Sequence, residues 1–238
     1  MRIPITKYGL PQAAAYPAAV LALMFVYGLF FRQVFPDSWH TGVHLWLAGV
    51  LPELILFGLL VWVVSFFRDP KRKIPEDPAL LLSPADGRIS DIEEVREPLL
   101  GGEPVLRIGI FLSIFNVHIN RMPCAVRVRS VLYKPGKFLN ALHGIQAGKL
   151  NESNNLLLER IQSPEDLLLV RQISGAIARR IVCEAKENQT FTAGQPFGMI
   201  KFGSRTELYV PASPKLRVLV KIGDKVKAGQ TPLARYER

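Results

Sequence analysis

Apolar residues crowd the first third of the chain and then thin into short runs. From Leu10 to Phe31, 22 residues pass without a formal charge, through Ala18, Val20, Leu21, Leu23, Met24, Phe25, Val26, Leu29 and Phe30. At about 1.5 Å per residue this spans a hydrocarbon layer of about 30 Å, so the pattern predicts a membrane helix. A second apolar stretch, Val43 to Phe67, is interrupted by Pro52 and Glu53. The 14 residues after Glu53 are short for a crossing. The second helix therefore needs part of Val43–Leu51, with Glu53 buried, snorkelling or near an interface. A helical hairpin over residues 1–67 is the expectation. A signal peptide fits poorly, because no small-residue cleavage site follows Phe31 and Arg32-Gln33 leads straight to the second segment.

A Pro-rich linker (68–79) carries Asp69-Pro70, Ile74-Pro75 and Asp77-Pro78, and after it the pattern changes. Short runs rich in β-branched and aromatic residues alternate with Gly and Pro: Arg107–Phe115, Ala125–Tyr133, Ala178–Ala185, Phe197–Phe202, Glu207–Val210 and Leu216–Ile222. These predict strands. Ser163-Pro164-Glu165 supplies a cap and first turn for a short helix over Glu165–Arg171, while Phe138–Ile145 fits helix or strand. Glu187–Pro196 echoes Ile222–Pro232, each with a polar turn, an apolar residue, Gly-Gln and an apolar strand. The echo resembles the repeated hairpin of lipoyl- and biotinyl-type sandwich domains, and Ser83-Pro84-Ala85-Asp86-Gly87 resembles their opening turn. The Met-Lys-Met-like tip of the biotinyl type is absent. The fold class expected is α+β: a mostly β soluble domain, 80–238, with lipoyl or barrel-sandwich-like hairpins, after an N-terminal transmembrane helical hairpin.

Charge sharpens the division. The first 67 residues hold only Arg2, Lys7, Arg32, Asp37 and Glu53. Taking these from totals of 30 basic and 20 acidic residues leaves 27 and 18 beyond them, a net +9. Basic residues beside a membrane segment suit an anionic lipid surface. Arg68, Lys71, Arg72 and Lys73 outnumber the charges in the Arg32–Gly42 connection, so the positive-inside tendency puts both ends of the hairpin, and everything after Arg68, on the cytoplasmic side of the cell membrane. Cys124 and Cys183 lack CxxC spacing and read as small buried hydrophobes in a reducing compartment.

The segment with chemistry is Gly198-Met199-Ile200-Lys201-Phe202-Gly203-Ser204-Arg205. An isolated Gly-Ser pair is ordinarily a turn. A serine hydroxyl can also attack the carbonyl before it when the backbone is strained and a base takes its proton. The preceding glycine removes bulk and permits unusual backbone angles. Elimination from the resulting ester breaks the chain and, after hydrolysis, leaves a pyruvoyl cap.

That segment, followed by Leu208-Tyr209-Val210-Pro211, resembles the processing segment of short-form phosphatidylserine decarboxylase proenzymes. Ser83-Pro84-Ala85-Asp86-Gly87 resembles the family's Asp-bearing turn, and Phe111–Pro123, with Asn116-Val117-His118-Ile119-Asn120-Arg121, its His-bearing strand. Ala178–Cys183 agrees as well. The resemblance runs from about Leu80 to the C-terminus. It implies cleavage between Gly203 and Ser204 into 203- and 35-residue chains, and a covalent pyruvoyl group made from Ser204. It also implies decarboxylation of a membrane phospholipid, phosphatidylserine, to phosphatidylethanolamine. No dissociable cofactor and no metal are implied; the partners are the two cleaved chains and, as a homodimer, a second copy.

By the same resemblance His118 takes an acid/base role, and Asp86 activates Ser204 or orients its base. Long-form members carry a second histidine three residues after the position of His118, and here that position is Arg121. Either His118 serves both steps or Asp86 acts without a histidine relay. Arg121 and Arg205 are candidates for holding the lipid phosphate or carboxylate, as is Lys201; a solvated strand arginine is the ordinary alternative for Arg121. Two other classes fit less well. A membrane-anchored adaptor with a lipoyl-like sandwich normally carries a long heptad hairpin, and none is sustained between Lys134 and Ser174. A nucleic-acid binder needs clustered basic residues with stacking aromatics, and these basic residues are scattered.

Overall fold

The computed structural model describes residues 5–35, 43–137, 150–175, 180–201 and 204–237. The chain divides into two compact units, Met1–Asp69 and Pro70–Arg238. The Pro-rich segment 70–79 thus belongs to the second unit. It is tied there by Arg72 to Asp86 and by the Pro78 carbonyl, which accepts from Arg160.

The first unit holds two helices, α1 (Gln12–Val34) and α2 (Val43–Phe66). Both are long and apolar enough to cross a membrane. At about 1.5 Å per residue they are each about 35 Å long. They are apolar all round rather than along one stripe, so large side chains such as Phe25 and Ile55 stay exposed at 68% and 64%. That distribution suits lipid on every side. The Tyr27 hydroxyl donates to the Ala48 carbonyl across the hairpin. At its base the Thr6 N–H donates to Phe67 O, and Gly9 leaves room for the Phe67 ring.

The second unit is built from antiparallel sheets. The largest contains β2 (Gly87–Arg96), β3 (Pro104–Leu112), β5 (Val126–Lys134), β6 (Ser153–Arg160), β7 (Leu167–Ile173), β9 (Thr190–Phe191), β11 (Ser204–Pro211) and β13 (Lys225–Val226). Its order is β13-β2-β3-β11-β7-β6-β5-β9. A small sheet pairs β4 (Ile119–Arg121), β10 (Pro196–Ile200) and β8 (Ile181–Cys183), with β10 central. Another pairs β1 (Leu80–Leu82), β14 (Pro232–Tyr236) and β12 (Leu216–Val218), with β14 central. With its two helices the fold is α+β and mostly β, as the pattern predicts.

The sequence echo is a structural repeat, matched bond for bond. The Gly223 N–H donates to Ile89 O at 2.8 Å and the Asn188 N–H to Val128 O at 2.8 Å. Likewise Gly229 donates to Ser83 O and Gly194 to Met122 O, each at 2.8 Å. Gly194 and Gly229 both have φ +70°, and the Cβ that an alanine would add at Gly229 meets Gly194 at 3.1 Å. Left-handed backbone and close approach together explain glycine at both places. One core spans the sheets, with Ile108, Ile110, Leu156, Leu158, Leu168, Val170, Leu208 and Leu233 inaccessible to solvent.

The short helix expected over Glu165–Arg171 is not formed; Leu167–Ile173 is β7. It pairs with β6 on one side and β11 on the other. A strand buried on both faces reads as a continuous apolar run, and the buried Leu168-Leu169-Val170 is that run, so pairing overrides local helix propensity. Phe138–Ile145, and Ala178 and Arg179 of the expected strand Ala178–Ala185, lie outside the described residues. The other predicted strands are found in part: β11 starts earlier than expected, at Ser204, β12 stops at Val218 rather than Ile222, and Phe202 lies outside the described residues.

Candidate active site

Ser204 opens β11, a strand in the middle of the large sheet. It pairs with Leu112 of β3, and Arg205 next to it pairs with Phe111 of β3 and Ile173 of β7. Ser204 is fully buried, and among the described residues its hydroxyl has no hydrogen-bond partner. A buried polar group left unsatisfied costs about 1–3 kcal/mol and asks for an explanation. Gly203, the other half of the expected cleavage site, lies outside the described residues.

Alternation along β11 sorts its side chains. Leu208 and Val210 face the core, so Thr206 and Ser204 share that face. Thr206 Oγ1 accepts a 3.0 Å hydrogen bond from Asn120 Nδ2 of β4. His118 lies two residues before Asn120 in sequence, and Ser204 two before Thr206.

His118 is fully buried, and its Nδ1 lies 2.9 Å from the Asn116 carbonyl. A carbonyl only accepts, so Nδ1 carries the proton and Nε2 is the basic nitrogen of the neutral ring. The turn supplying that carbonyl is closed by Asn116 Oδ1, which accepts from the Ser113 N–H and hydroxyl, each at 2.9 Å.

Asn120 is the hub. Its Oδ1 accepts from Gln172 Nε2 at 2.9 Å, and Gln172 Oε1 accepts from Asn154 Nδ2 at 3.1 Å. Its Nδ2 also approaches the Pro84 carbonyl at 3.3 Å, in the turn that carries Asp86. Sequence reading missed Asn120, Thr206 and Gln172. The available signal was polar residues on faces that alternation assigns to the core.

Asp86 is held by other groups. Arg72 Nη2 donates to both its oxygens, at 3.0 and 2.8 Å, and the Ala228 N–H donates to Oδ1 at 2.8 Å. Arg88, Phe111 and Arg205 form one row across β2, β3 and β11. Gly87 and Ser204 therefore fall on the next row, two strand spacings or about 10 Å apart. Asn120 thus ties β11, two residues after Ser204, to the turn that carries Asp86, with the Asp86 carboxylate clamped by Arg72.

The basic candidates lie elsewhere. Arg121 is buried and donates to the carbonyls of Gly194 (3.1 Å) and Pro70 (3.4 Å). Arg205 is inaccessible on the opposite face of β11 from Ser204, and donates to Glu207, Ser90 and Asp91. Its guanidinium is committed to the sheet rather than presented to an incoming phosphate. Lys201 is buried, with its N–H on Arg180 O at 3.2 Å; burial, then the neighbouring Arg180 charge, lowers its pKa. Burial pushes the Cys124 thiol up to about 12, as expected of an inert core cysteine.

These features define a β-sheet enzyme domain whose candidate reactive group is a buried serine at a strand start, joined to an apolar helical hairpin. Comparison with known proteins agrees. The family model described as phosphatidylserine decarboxylase matches residues 59–234, which include every candidate residue. A phosphatidylserine decarboxylase proenzyme from Rhodopirellula baltica is 39% identical over 236 residues, covering 99% of this chain and 90% of its own length. One from Azorhizobium caulinodans is 46% identical over 187 residues, covering 77% and 78%. The chain belongs to the phosphatidylserine decarboxylase family.

Proposed function

We propose that this chain cuts itself between Gly203 and Ser204 and then decarboxylates phosphatidylserine to phosphatidylethanolamine at a membrane surface. The observation that supports this most is the Ser204 hydroxyl, buried and without a partner among the described residues at the start of a central strand, in a family whose relatives are named proenzymes.

In the first stage Ser204 Oγ bonds to the carbonyl carbon before it, the peptide C–N bond breaks, and the Oγ proton passes through a base to the freed nitrogen. Loss of the residue 204 α-proton with cleavage of Cβ–Oγ then separates the chains. Water replaces the nitrogen, which leaves as ammonia, and a pyruvoyl group remains. This group has fewer heavy atoms than the serine it replaces, so a site that encloses Ser204 has room for it. Its formation also removes the unsatisfied hydroxyl. The base is His118 Nε2 or the Asp86 carboxylate, and the Arg72 clamp on Asp86 favours His118.

A pyruvoyl group supplies a ketone that takes the substrate amine and withdraws electrons as carbon dioxide departs. His118, fixed through Nδ1, is suited to hold and return a proton at Nε2. Asn120 ties β4, which follows His118, to β11, which begins at Ser204. The apolar hairpin keeps the site at the lipid surface, with the catalytic unit on the cytoplasmic side and a second copy completing a homodimer. Purified protein in mixed micelles should release carbon dioxide from phosphatidylserine and yield phosphatidylethanolamine in equal amount. Absence of both products from a cleaved preparation would remove the proposal.

A further inference from the structure

Cleavage before Ser204 would turn the first residue of a central strand into a chain end, and chain ends fray. The residue that follows is tied down to an unusual degree. Arg205 has no solvent-accessible surface. Its Nε donates to Glu207 Oε1 at 2.8 Å on its own strand. Its Nη1 donates to Ser90 Oγ at 2.5 Å, and Nη2 donates to Asp91 Oδ1 at 2.8 Å. To reach them the side chain crosses the whole of β3, over Gly109, where an added Cβ would lie 2.0 Å from Nη2. A register shift between Ile89 and Asp91 inserts Ser90 as an extra residue in β2. Such a bulge re-aims side chains, and here Ser90 and Asp91 both reach the guanidinium. Glu207 is held in turn by the Tyr209 hydroxyl, which donates to Oε2 at 2.6 Å.

Ser90 and Asp91 precede the cleavage site, and Arg205 and Glu207 follow it. We infer that Arg205 is a positioning residue that fastens the new chain end at residue 204 to the larger cleavage product. The inference rests on the self-cleavage reading above. Arg205 lies on the far face of β11 and touches no reacting atom; it fixes the backbone that carries the reacting group. A displacement of about 1 Å at such a group can cost about a hundredfold in rate. Two carboxylates, Asp91 and Glu207, balance the buried cation, and the planar fork meets three partners at once, which a lysine cannot reproduce.

The test uses the full-length protein, purified with its apolar segments, as Arg205→Lys and as Ser90→Ala. Cleavage is followed by intact mass, folding by Tm, and turnover by kcat and KM on phosphatidylserine in mixed micelles. Arg205→Lys should be cleaved, with KM within about twofold of wild type and kcat down about tenfold. Ser90→Ala, a change at an exposed side chain, should show the same split more weakly. It carries the test alone if Arg205→Lys does not fold. A lower Tm with unchanged kcat in a cleaved variant would make the network merely structural and overturn the inference. A rise confined to KM would overturn it too. A wild-type chain that folds but is never cleaved would instead overturn the reading beneath it, and the clamp with it.

Discussion

Asn120 donates a 3.0 Å hydrogen bond to Thr206, and through it the strand after His118 meets the strand that begins at Ser204. Both residues are fully buried, and the amides of Gln172 and Asn154 continue the chain behind them. Thr206→Val keeps the shape and removes the hydroxyl, leaving a buried N–H short of an acceptor. Stability should fall by about 1–3 kcal/mol, and cleavage should slow in time-resolved intact mass. Wild-type cleavage and stability would separate this contact from the site.

His118→Gln removes the basic ring nitrogen while keeping a polar side chain. Decarboxylation should fall by about 10²–10⁴-fold, the usual contribution of a general acid or base. The rate is read on protein already cleaved, or co-assembled with cleaved chain if processing also fails. Full turnover in cleaved protein would take His118 out of the chemistry.

Gly109→Ala should be destabilising although it lies at the site of no reaction. The new Cβ would meet Arg205 Nη2 at 2.0 Å and Asp91 Oδ2 at 2.5 Å, both far ends of side chains. Overpacking of this kind costs about 1–3 kcal/mol. Denaturant unfolding measures it, and a neutral result would show that the ion pair shifts freely.

Burial raises the Asp91 carboxyl pKa, but the Arg205 charge, the Ser90 hydroxyl and Arg107 outweigh it and hold the group below its ordinary value. A carboxyl whose pKa is depressed by folding stabilises the fold above its unfolded value, about 3.9, and loses that contribution as pH falls through the folded value. Stability should therefore drop as pH falls below about 4, and Asp91→Asn should flatten that part of the profile. An unchanged acid limb in the variant would assign the drop to other carboxyls.

The helices and much of the sheet were legible because their signals are local. An uncharged run such as Leu10–Phe31 has few alternatives, and the Gly-Gln echo marks a repeated turn whose glycines need left-handed backbone. β7 was read as a helix start because Ser163-Pro164-Glu165 is a genuine cap pattern, and only pairing with β6 and β11 outweighs it. Ser204 and His118 stood out by their motifs. The Arg205 network was not legible, since nothing nearby in sequence shows that Gly109 leaves a channel to Asp91. The Asn120–Thr206 contact joins residues 86 apart, beyond any local pattern.

Intact mass spectrometry of the purified wild-type protein, beside Ser204→Ala, tests the central claim most directly. The account predicts two wild-type fragments divided between Gly203 and Ser204. The smaller should lack a free amino terminus and be lighter than a serine start by the mass of one ammonia. Ser204→Ala should remain one chain. A folded wild-type protein that stays whole, or a Ser204→Ala variant that is cut and active, would contradict it.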